Sequence, residues 1–213
     1  MTTRASAVIQ AGDTRELIIG AAYVCFREHG LQKATIVDIA RSAKVSRSTV
    51  YEYFPDKAAL VEACAEHASH QFYREMAQAM SRVSPLEEKL CRAAVFVTRA
   101  RRAITSATYV DEDAINLLLT KDAAELLRES VDFFAPYLTA AKLTGEVRKD
   151  LDVEAAGEWF ARILFSLFTT PSPIRNLDDP DAPEAVADFV RAHVVRGFRD
   201  DRPQSARAAS KLR

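Results

Sequence analysis

The sequence predicts an all-α fold, in which an N-terminal three-helix domain with a helix-turn-helix precedes a larger helical domain. Apolar residues recur at intervals of three and four through most of the 213 residues, and no segment shows the alternation of a strand. Residues 35–60 divide into two short helices, a tight turn between them and the start of a longer helix. We expect domains at residues 13–58 and 59–199, with disordered termini at residues 1–12 and 200–213.

The first helix is predicted to begin at Asp13 and Glu16, which form a carboxylate capping pair, and to close at Gly30. We expect it to brace the helix-turn-helix through an inner face made of Leu17, Ala21, Val24 and Cys25.

The helix-turn-helix follows from its capping residues. Thr35 suits an N-cap, with Asp38 three residues later, and the helix should end near Lys44. Ser46 supplies the N-cap of the second helix, over residues 47–54, which Pro55 stops. Its inward residues, Val50 and Phe54, leave a polar set pointing outward: Arg47, Ser48, Thr49, Tyr51 and Tyr53.

This outward set suits double-stranded DNA. Phosphates accept hydrogen bonds from hydroxyl groups and helix N-termini, and arginine reads guanine in the major groove. In a helix-turn-helix, the start of the second helix lies nearest the base edges, where Arg47 and Ser48 stand. The alternative is an ordinary helical hairpin whose tyrosines are half-buried in the core.

Residues 34–60, which contain the pattern I-A-x-x-A-x-V-S-x-x-x-x-Y-x-Y-F-x-x-K-x-x-L, resemble the DNA-binding domain of the tetracycline-repressor (TetR) family of bacterial transcriptional regulators. The resemblance implies an all-helical homodimer, whose larger domain binds a small effector and the partner subunit. It also implies that Thr35 and Lys57 contact the phosphate backbone, that Arg47 and Ser48 point toward bases, and that Tyr51 and Tyr53 contact flanking phosphates.

Two residues depart from the family pattern. Lys44 stands where the family usually has glycine, so the turn is either strained by about 1 kcal/mol or offers a lysine to a phosphate. Glu52 is an acid on the recognition helix, and it either accepts a hydrogen bond from a cytosine or forms a solvent-facing ion pair.

Four further helices are predicted beyond the helix-turn-helix. A long helix runs from Asp56 to about Met80 and links the two domains, and the next begins at Ser84 with Pro85 at its first position. Residues 152–170 and 182–198 form two amphipathic helices, separated by a proline-rich loop.

The second domain is richer in apolar side chains than a thin helix pair requires. We therefore expect a cavity for a small hydrophobic effector, although core packing explains any single residue equally well. The candidate pocket residues are Phe96, Tyr109, Leu118, Phe133, Phe134, Tyr137, Phe165 and Phe168.

The helix over residues 152–170 is apolar on more than one side, so it needs two partners. One is its own core, and the other is expected to be the same helix of a second subunit in a symmetric four-helix interface. The candidate interface residues are Trp159, Arg162, Phe165, Phe189 and His193, for which intrachain core is the alternative.

Composition excludes several classes of protein. Residues 1–60 carry eight Lys/Arg and six Asp/Glu in a chain of net charge −1, which argues against a nonspecific nucleic-acid coat. No stretch suits a membrane span or a signal peptide, so we expect a cytoplasmic protein. Cys25, Cys64 and Cys91 are expected to be reduced and buried.

No cofactor and no catalytic residue is predicted, because the common phosphate-loop, nucleophile-elbow and zinc-protease patterns are missing from the sequence. Cys64, His67 and His70 offer at most a partial metal site. The sequence thus predicts a homodimeric repressor that a small hydrophobic effector releases from a palindromic operator. The alternatives are an effector-independent or activating DNA-binding regulator and a helical enzyme.

Overall fold

The computed structural model describes residues 2–105, 123–170, 172, 174–177 and 179–199. All regular elements in these ranges are helical, as the sequence predicts. They are α1 (Thr2–His29), α2 (Ile36–Ala43), α3 (Arg47–Tyr53), α4 (Lys57–Ser81), α5 (Leu86–Thr105), α6 (Ala123–Thr144), α7 (Val153–Thr169) and α8 (Glu184–Phe189), followed by a π-helical segment (Val190–Val194) and a 3₁₀ turn (Val195–Phe198).

Two compact units divide the chain. The described residues up to Arg74, together with Thr105, form the first unit. The other described residues, from Glu75 onward, form the second unit. Helix α4 passes without a break through the predicted domain boundary at residues 58 and 59, and the units divide later along this helix. That domain boundary stays a prediction.

Helix α1 begins at Thr2, so the prediction that Asp13 and Glu16 cap its N-terminus is wrong. Residues 2–12, where we expected disorder, continue the helix. Residues 2–12 include three alanines and no proline, and Gly12 alone, which costs a helix about 1 kcal/mol relative to alanine, does not end it.

The predicted inner face of α1 is only half right. Cys25 is buried, but Leu17 is 59% exposed and Val24 is 38% exposed. Apolar residues fill nearly every position from Leu17 to Phe26, so their spacing does not distinguish one face from another. The residues of α1 that enter the core are Ile18, Ile19, Ala22, Cys25 and Phe26.

The core of the first unit brings together the four helices around the turn. α2 contributes Ile36 and Ile39, and α3 contributes Val50, which is fully buried. Leu60 and Cys64 of α4 close the cluster. Short helices such as α2 and α3 are held by this packing, because helices of their length are unstable alone.

In the second unit, α6 and α7 pack through aromatic rings. Phe134 is fully buried and meets Phe160 edge to face, with 5.0 Å between ring centroids. Gly157 also lies at this contact, where an added Cβ would stand 3.5 Å from Cγ1 of Val131, an ordinary van der Waals distance. Helix α7 begins close to the predicted start, and Asp152 caps it, since its Oδ1 accepts the N–H of Ala155 at 3.1 Å.

Helix α5 begins one residue later than predicted. The Pro85 carbonyl accepts the N–H of Glu88 at 3.1 Å, so Pro85 stands before the helix rather than at its first position. The N–H of Leu86 donates to Glu146 Oε2 at 2.7 Å, and this carboxylate satisfies a donor that lacks a partner within the helix.

The helix predicted over residues 182–198 is divided into α8, the π-helical segment and the 3₁₀ turn. Buried residues nevertheless continue along all three elements, through Val186, Val190, Val194 and Val195 to Phe198.

The described residues between α7 and α8 form turns and bends, as expected of the proline-rich loop. Among the helices in the described ranges, none has both the length and the apolar composition required to cross a membrane.

Candidate functional site

Helix α2, the first helix of the helix-turn-helix, begins with a capping box. The N–H of Asp38 donates to Thr35 Oγ1 at 3.3 Å, while the hydroxyl and N–H of Thr35 donate to Asp38 Oδ2 at 2.6 and 3.2 Å. The Thr35 hydroxyl, followed by its backbone N–H, lowers the pKa of the Asp38 carboxyl. The predicted N-cap is confirmed, and the role of Thr35 at a phosphate stays a prediction.

Lys44 ends α2 in the left-handed conformation, with φ of 57° and ψ of 37°. Its N–H donates to the carbonyl of Arg41 at 3.2 Å. This is the backbone conformation that the glycine of the family pattern would adopt without strain. The side chain of Lys44 is exposed, and its contact with DNA stays a prediction.

Ser46 caps α3, because its Oγ accepts the N–H of Thr49 at 3.0 Å. The same oxygen lies 2.6 Å from Ser48 Oγ and 2.9 Å from Thr49 Oγ1. These three hydroxyls therefore form one small polar cluster at the N-terminus of the helix, where free backbone N–H groups attract anions.

Helix α3 presents most of the predicted polar set to solvent. Arg47 and Ser48 are exposed, Tyr51 is 45% exposed, and Glu52 is exposed beside it. On the opposite side, Val50 is fully buried and holds the helix against the core of the first unit. A guanidinium, hydroxyls and a tyrosine are thereby held on a short, anchored helix.

Tyr53 differs from the expectation that it points outward. It is half-buried and packs against the core of the first unit. It lies one helical turn after Val50, so its ring flanks the buried face of α3.

Lys57 is held by its own chain. Its Nζ donates to the carbonyl of Leu31 at 2.5 Å and lies 6.0 Å from the ring centroid of Phe26. The guanidinium of Arg15 lies 5.4 Å from the ring centroid of Phe54 in a similar contact. Neither contact was predicted from the sequence, and the role of Lys57 at a phosphate stays a prediction.

The predicted pocket residues do not share one place. Phe133, Phe134 and Tyr137 form an aromatic cluster on α6, with ring centroids 5.0 and 5.6 Å from that of Phe133. Phe165 and Phe168 are half-buried on α7. Tyr109 and Leu118 lie outside the described residues.

Phe96, the remaining pocket candidate, lines a cleft of about 520 Å³ in the second unit, which we name the arginine cleft. The end of α4 and the middle of α5 form it. Its polar side chains were not predicted to form a site, because they are interspersed with core residues along the two helices. The lining residues are Glu75, Gln78, Ala79, Arg82, Val83, Arg92, Val95, Phe96 and Arg99.

A second cleft, of about 580 Å³, lies between α6 and α7. Its charge has the opposite sign, since three carboxylates accompany one arginine. The lining residues are Ala124, Leu127, Arg128, Val131, Asp132, Ala135, Val153, Glu154 and Glu158. Both clefts fall in the size range of small-molecule sites.

The candidate interface residues belong to α7, α8 and the π-helical segment of the second unit. On α7, Trp159 is 51% exposed, and Arg162 donates to Glu158 at 2.6 and 2.8 Å. Phe189 is half-buried and its ring centroid lies 5.3 Å from that of His193, which is exposed. Whether a second subunit covers them is untested.

All three cysteines are free and buried, as expected. Burial raises the pKa of Cys64 and of Cys91 to about 11, so both thiols are protonated at neutral pH. Cys64 donates to the carbonyl of Ile19 at 3.6 Å, and His67 lies 3.3 Å from Glu16. Within the part of the chain that the structure describes, no three potential metal-ligating side chains come together.

Comparison with known proteins agrees with this geometry. Residues 18–64 match the family model for bacterial regulatory proteins of the tetR family. The HTH-type transcriptional regulator TtgR of Pseudomonas putida is 35% identical over 79 residues, which cover 36% of this chain and only 38% of that protein. The fatty acid metabolism regulator protein of Bacillus subtilis is 24% identical over 159 residues, covering 72% of this chain and 80% of that protein.

The whole fold also has solved counterparts. The transcriptional regulator FadR of Bacillus subtilis, solved in complex with stearoyl-CoA, superposes with a TM-score of 0.54 at 20% identity. The match covers 83% of this chain and 97% of that one. At this identity the likeness concerns the fold alone.

Proposed function

Because this chain belongs to the tetR family of bacterial regulatory proteins, through residues 18–64, we propose that it is a sequence-specific transcriptional regulator and a repressor. It acts in the cytoplasm as a homodimer on double-stranded DNA with dyad symmetry, and a small hydrophobic effector releases it. The arrangement of α3 carries this proposal: Arg47, Ser48 and Tyr51 are exposed on a helix that Val50 anchors.

Each exposed group of α3 has a role in DNA recognition. Arg47 hydrogen-bonds a base edge in the major groove, and Ser48 stands beside it at the helix N-terminus. Tyr51 and the hydroxyls of Ser46 and Thr49 contact phosphates, which set the register of the helix. Further phosphates are contacted by residues on either side of the turn, namely Thr35, Lys44, Tyr53 and Lys57.

The effector acts by binding the conformation that does not bind DNA, because a ligand shifts an equilibrium only through differential affinity. We place it in the second unit, where its binding moves α4 and changes the separation of the two recognition helices in the dimer. Half-sites one turn apart require about 34–36 Å, so a small change loses one half-site. Similarity to the fatty acid metabolism regulator protein of Bacillus subtilis, which extends over 72% of this chain, supports the proposal of an effector with an apolar chain.

Selection from randomised double-stranded DNA tests the proposed function. The purified protein is mixed with the library at near-physiological salt, and the bound fragments are sequenced after several rounds, with Arg47→Ala as the comparison. We expect a motif with dyad symmetry, and a changed preference at one base pair of each half-site for Arg47→Ala. Bound fragments without a shared motif would contradict the proposal.

A further inference from the structure

The arginine cleft has an unbalanced charge. Three guanidinium groups line it against one carboxylate, that of Glu75. Arg92 lies 3.3 Å from Glu88, so its charge is partly compensated. Among the residues the structure describes, Arg82 and Arg99 have no ion-pair partner. Two exposed arginines without an ion pair in this part of the chain thus line one cleft of about 520 Å³.

Apolar side chains line the same cleft. Phe96 and Val83 are half-buried, and Val95 is almost fully buried. A cleft that combines apolar side chains with several cationic groups matches a ligand that has both an apolar body and an anionic end. Guanidinium groups bind carboxylates and phosphates through paired hydrogen bonds, which suits an oxyanion rather than a neutral polar group.

We propose that the arginine cleft binds an organic oxyanion with an apolar chain, whose head is held by Arg82 and Arg99 and whose chain lies along Phe96. The head is a carboxylate or a phosphate monoester, which share this chemistry. The acidic cleft between α6 and α7 disfavours the same ligand, because Asp132, Glu154 and Glu158 line it.

This binding site specifies the class of effector in the proposed function. Its role in release from DNA rests on that proposed function. The cleft is built partly from the end of α4, the helix that begins at Lys57, shortly after α3. A ligand that contacts α4 and α5 together stabilises one arrangement of the two helices, and that preference is the differential affinity that release from DNA requires.

Isothermal titration calorimetry of the full chain without DNA tests the binding. The probes are decanoate and decyl phosphate, compared with 1-decanol and inorganic phosphate, each below its aggregation concentration. We expect at least one of the two amphiphilic anions to bind about tenfold or more tightly than 1-decanol and inorganic phosphate, because charge-assisted hydrogen bonds add to the apolar contact. Affinity for 1-decanol equal to that for both anions would overturn the proposal.

Two variants locate the site. The double variant Arg82→Gln/Arg99→Gln should lose about tenfold or more in affinity for the preferred anion, since both charges that hold the head are removed. Arg128→Gln is the matched control, because Arg128 is an exposed arginine of the other cleft. Unchanged affinity in the double variant, or an equal loss in Arg128→Gln, would refute the assignment. Thermal melting of each variant checks that the fold is retained.

The DNA experiment separates this inference from the proposed function. If the selected DNA motif is bound and neither amphiphilic anion binds in the cleft, the inference fails and the proposed function stands. If an anion binds in the cleft while no DNA motif is selected, the proposed function fails and the binding site stands. If both hold, the preferred anion should release the wild-type protein from its DNA but not the double variant.

Discussion

At the scale of single residues, the recognition helix separates two kinds of DNA contact. Arg47 and Tyr51 are both exposed on α3, but their side chains suit different partners. A guanidinium reads a base, whereas a tyrosine hydroxyl donates to a phosphate that every sequence provides. The two substitutions should therefore differ in how their effects depend on DNA sequence.

Arg47→Ala should cost about 1–3 kcal/mol per half-site on the selected DNA and little on random DNA. Tyr51→Phe should weaken binding to both kinds of DNA alike, because only a phosphate contact is lost. Binding isotherms on the two DNAs measure this, with Arg128→Ala as a control for the loss of an exposed arginine. Equal losses for both variants on both DNAs would show that these roles are assigned wrongly.

Lys44 tests backbone strain in the turn. Its φ of 57° is a conformation that a glycine adopts without penalty, so Lys44→Gly should raise the free energy of unfolding by roughly 1 kcal/mol. Lys44→Ala keeps the strain and removes the charge, so it should leave stability nearly unchanged. Urea unfolding measures both, and a loss of stability in Lys44→Gly would contradict this account.

At the scale of elements, one arginine ties the C-terminal segments to the start of α5. Arg191 of the π-helical segment lies 3.0 Å from Glu88, 3.4 Å from Glu87 and 2.5 Å from Asp188. Its hydrogen bond to Glu88 is the main cause that raises the pKa of Arg191. Arg199 pairs with Glu87 as well, so the contacts form a network rather than an isolated pair.

Arg191→Ala should lower the free energy of unfolding by about 1 kcal/mol, and the loss should shrink as salt screens the charges. Arg128→Ala removes only an exposed pair with Glu125 and should change stability by less than about 0.5 kcal/mol. Urea unfolding at low and high salt compares the two variants. A loss in Arg191→Ala that is independent of salt would indicate lost packing instead of lost ion pairs.

At the scale of the whole molecule, the proposed dimer depends on surfaces that a single chain leaves exposed. Trp159 is 51% exposed on α7, which is unusual for a large aromatic ring in a protein without a partner. An isologous interface would bury this ring once in each subunit. Binding to two half-sites would then require that interface.

Trp159→Glu should weaken dimerisation by about 2 kcal/mol or more, roughly a thirtyfold change in the dissociation constant. Binding to the dyad-symmetric DNA should weaken with it. Leu143→Glu is the matched control, because Leu143 is 83% exposed and is not among the predicted interface residues. Sedimentation equilibrium measures the association, and an unchanged dimer in Trp159→Glu would place the interface elsewhere.

Capping and local apolar spacing were sufficient to predict much of the fold. Thr35 and Ser46 act as N-caps at the predicted positions, because a cap depends only on residues within one helical turn. The same reasoning failed for α1, where Leu17 and Val24 are exposed. There the apolar run is continuous, so spacing along the chain does not reveal which side meets the core.

The sequence by itself therefore determined the helical class, most helix boundaries, the caps around the turn and the outward position of Arg47. These follow from interactions between residues a few positions apart. Only the tertiary structure decided that Tyr53 flanks the core and that Lys57 donates a hydrogen bond to the carbonyl of Leu31. It also decided that the end of α4 and the middle of α5 line the arginine cleft. Those features join residues from separate elements, and their distances are set by how the helices pack, which local periodicity does not encode.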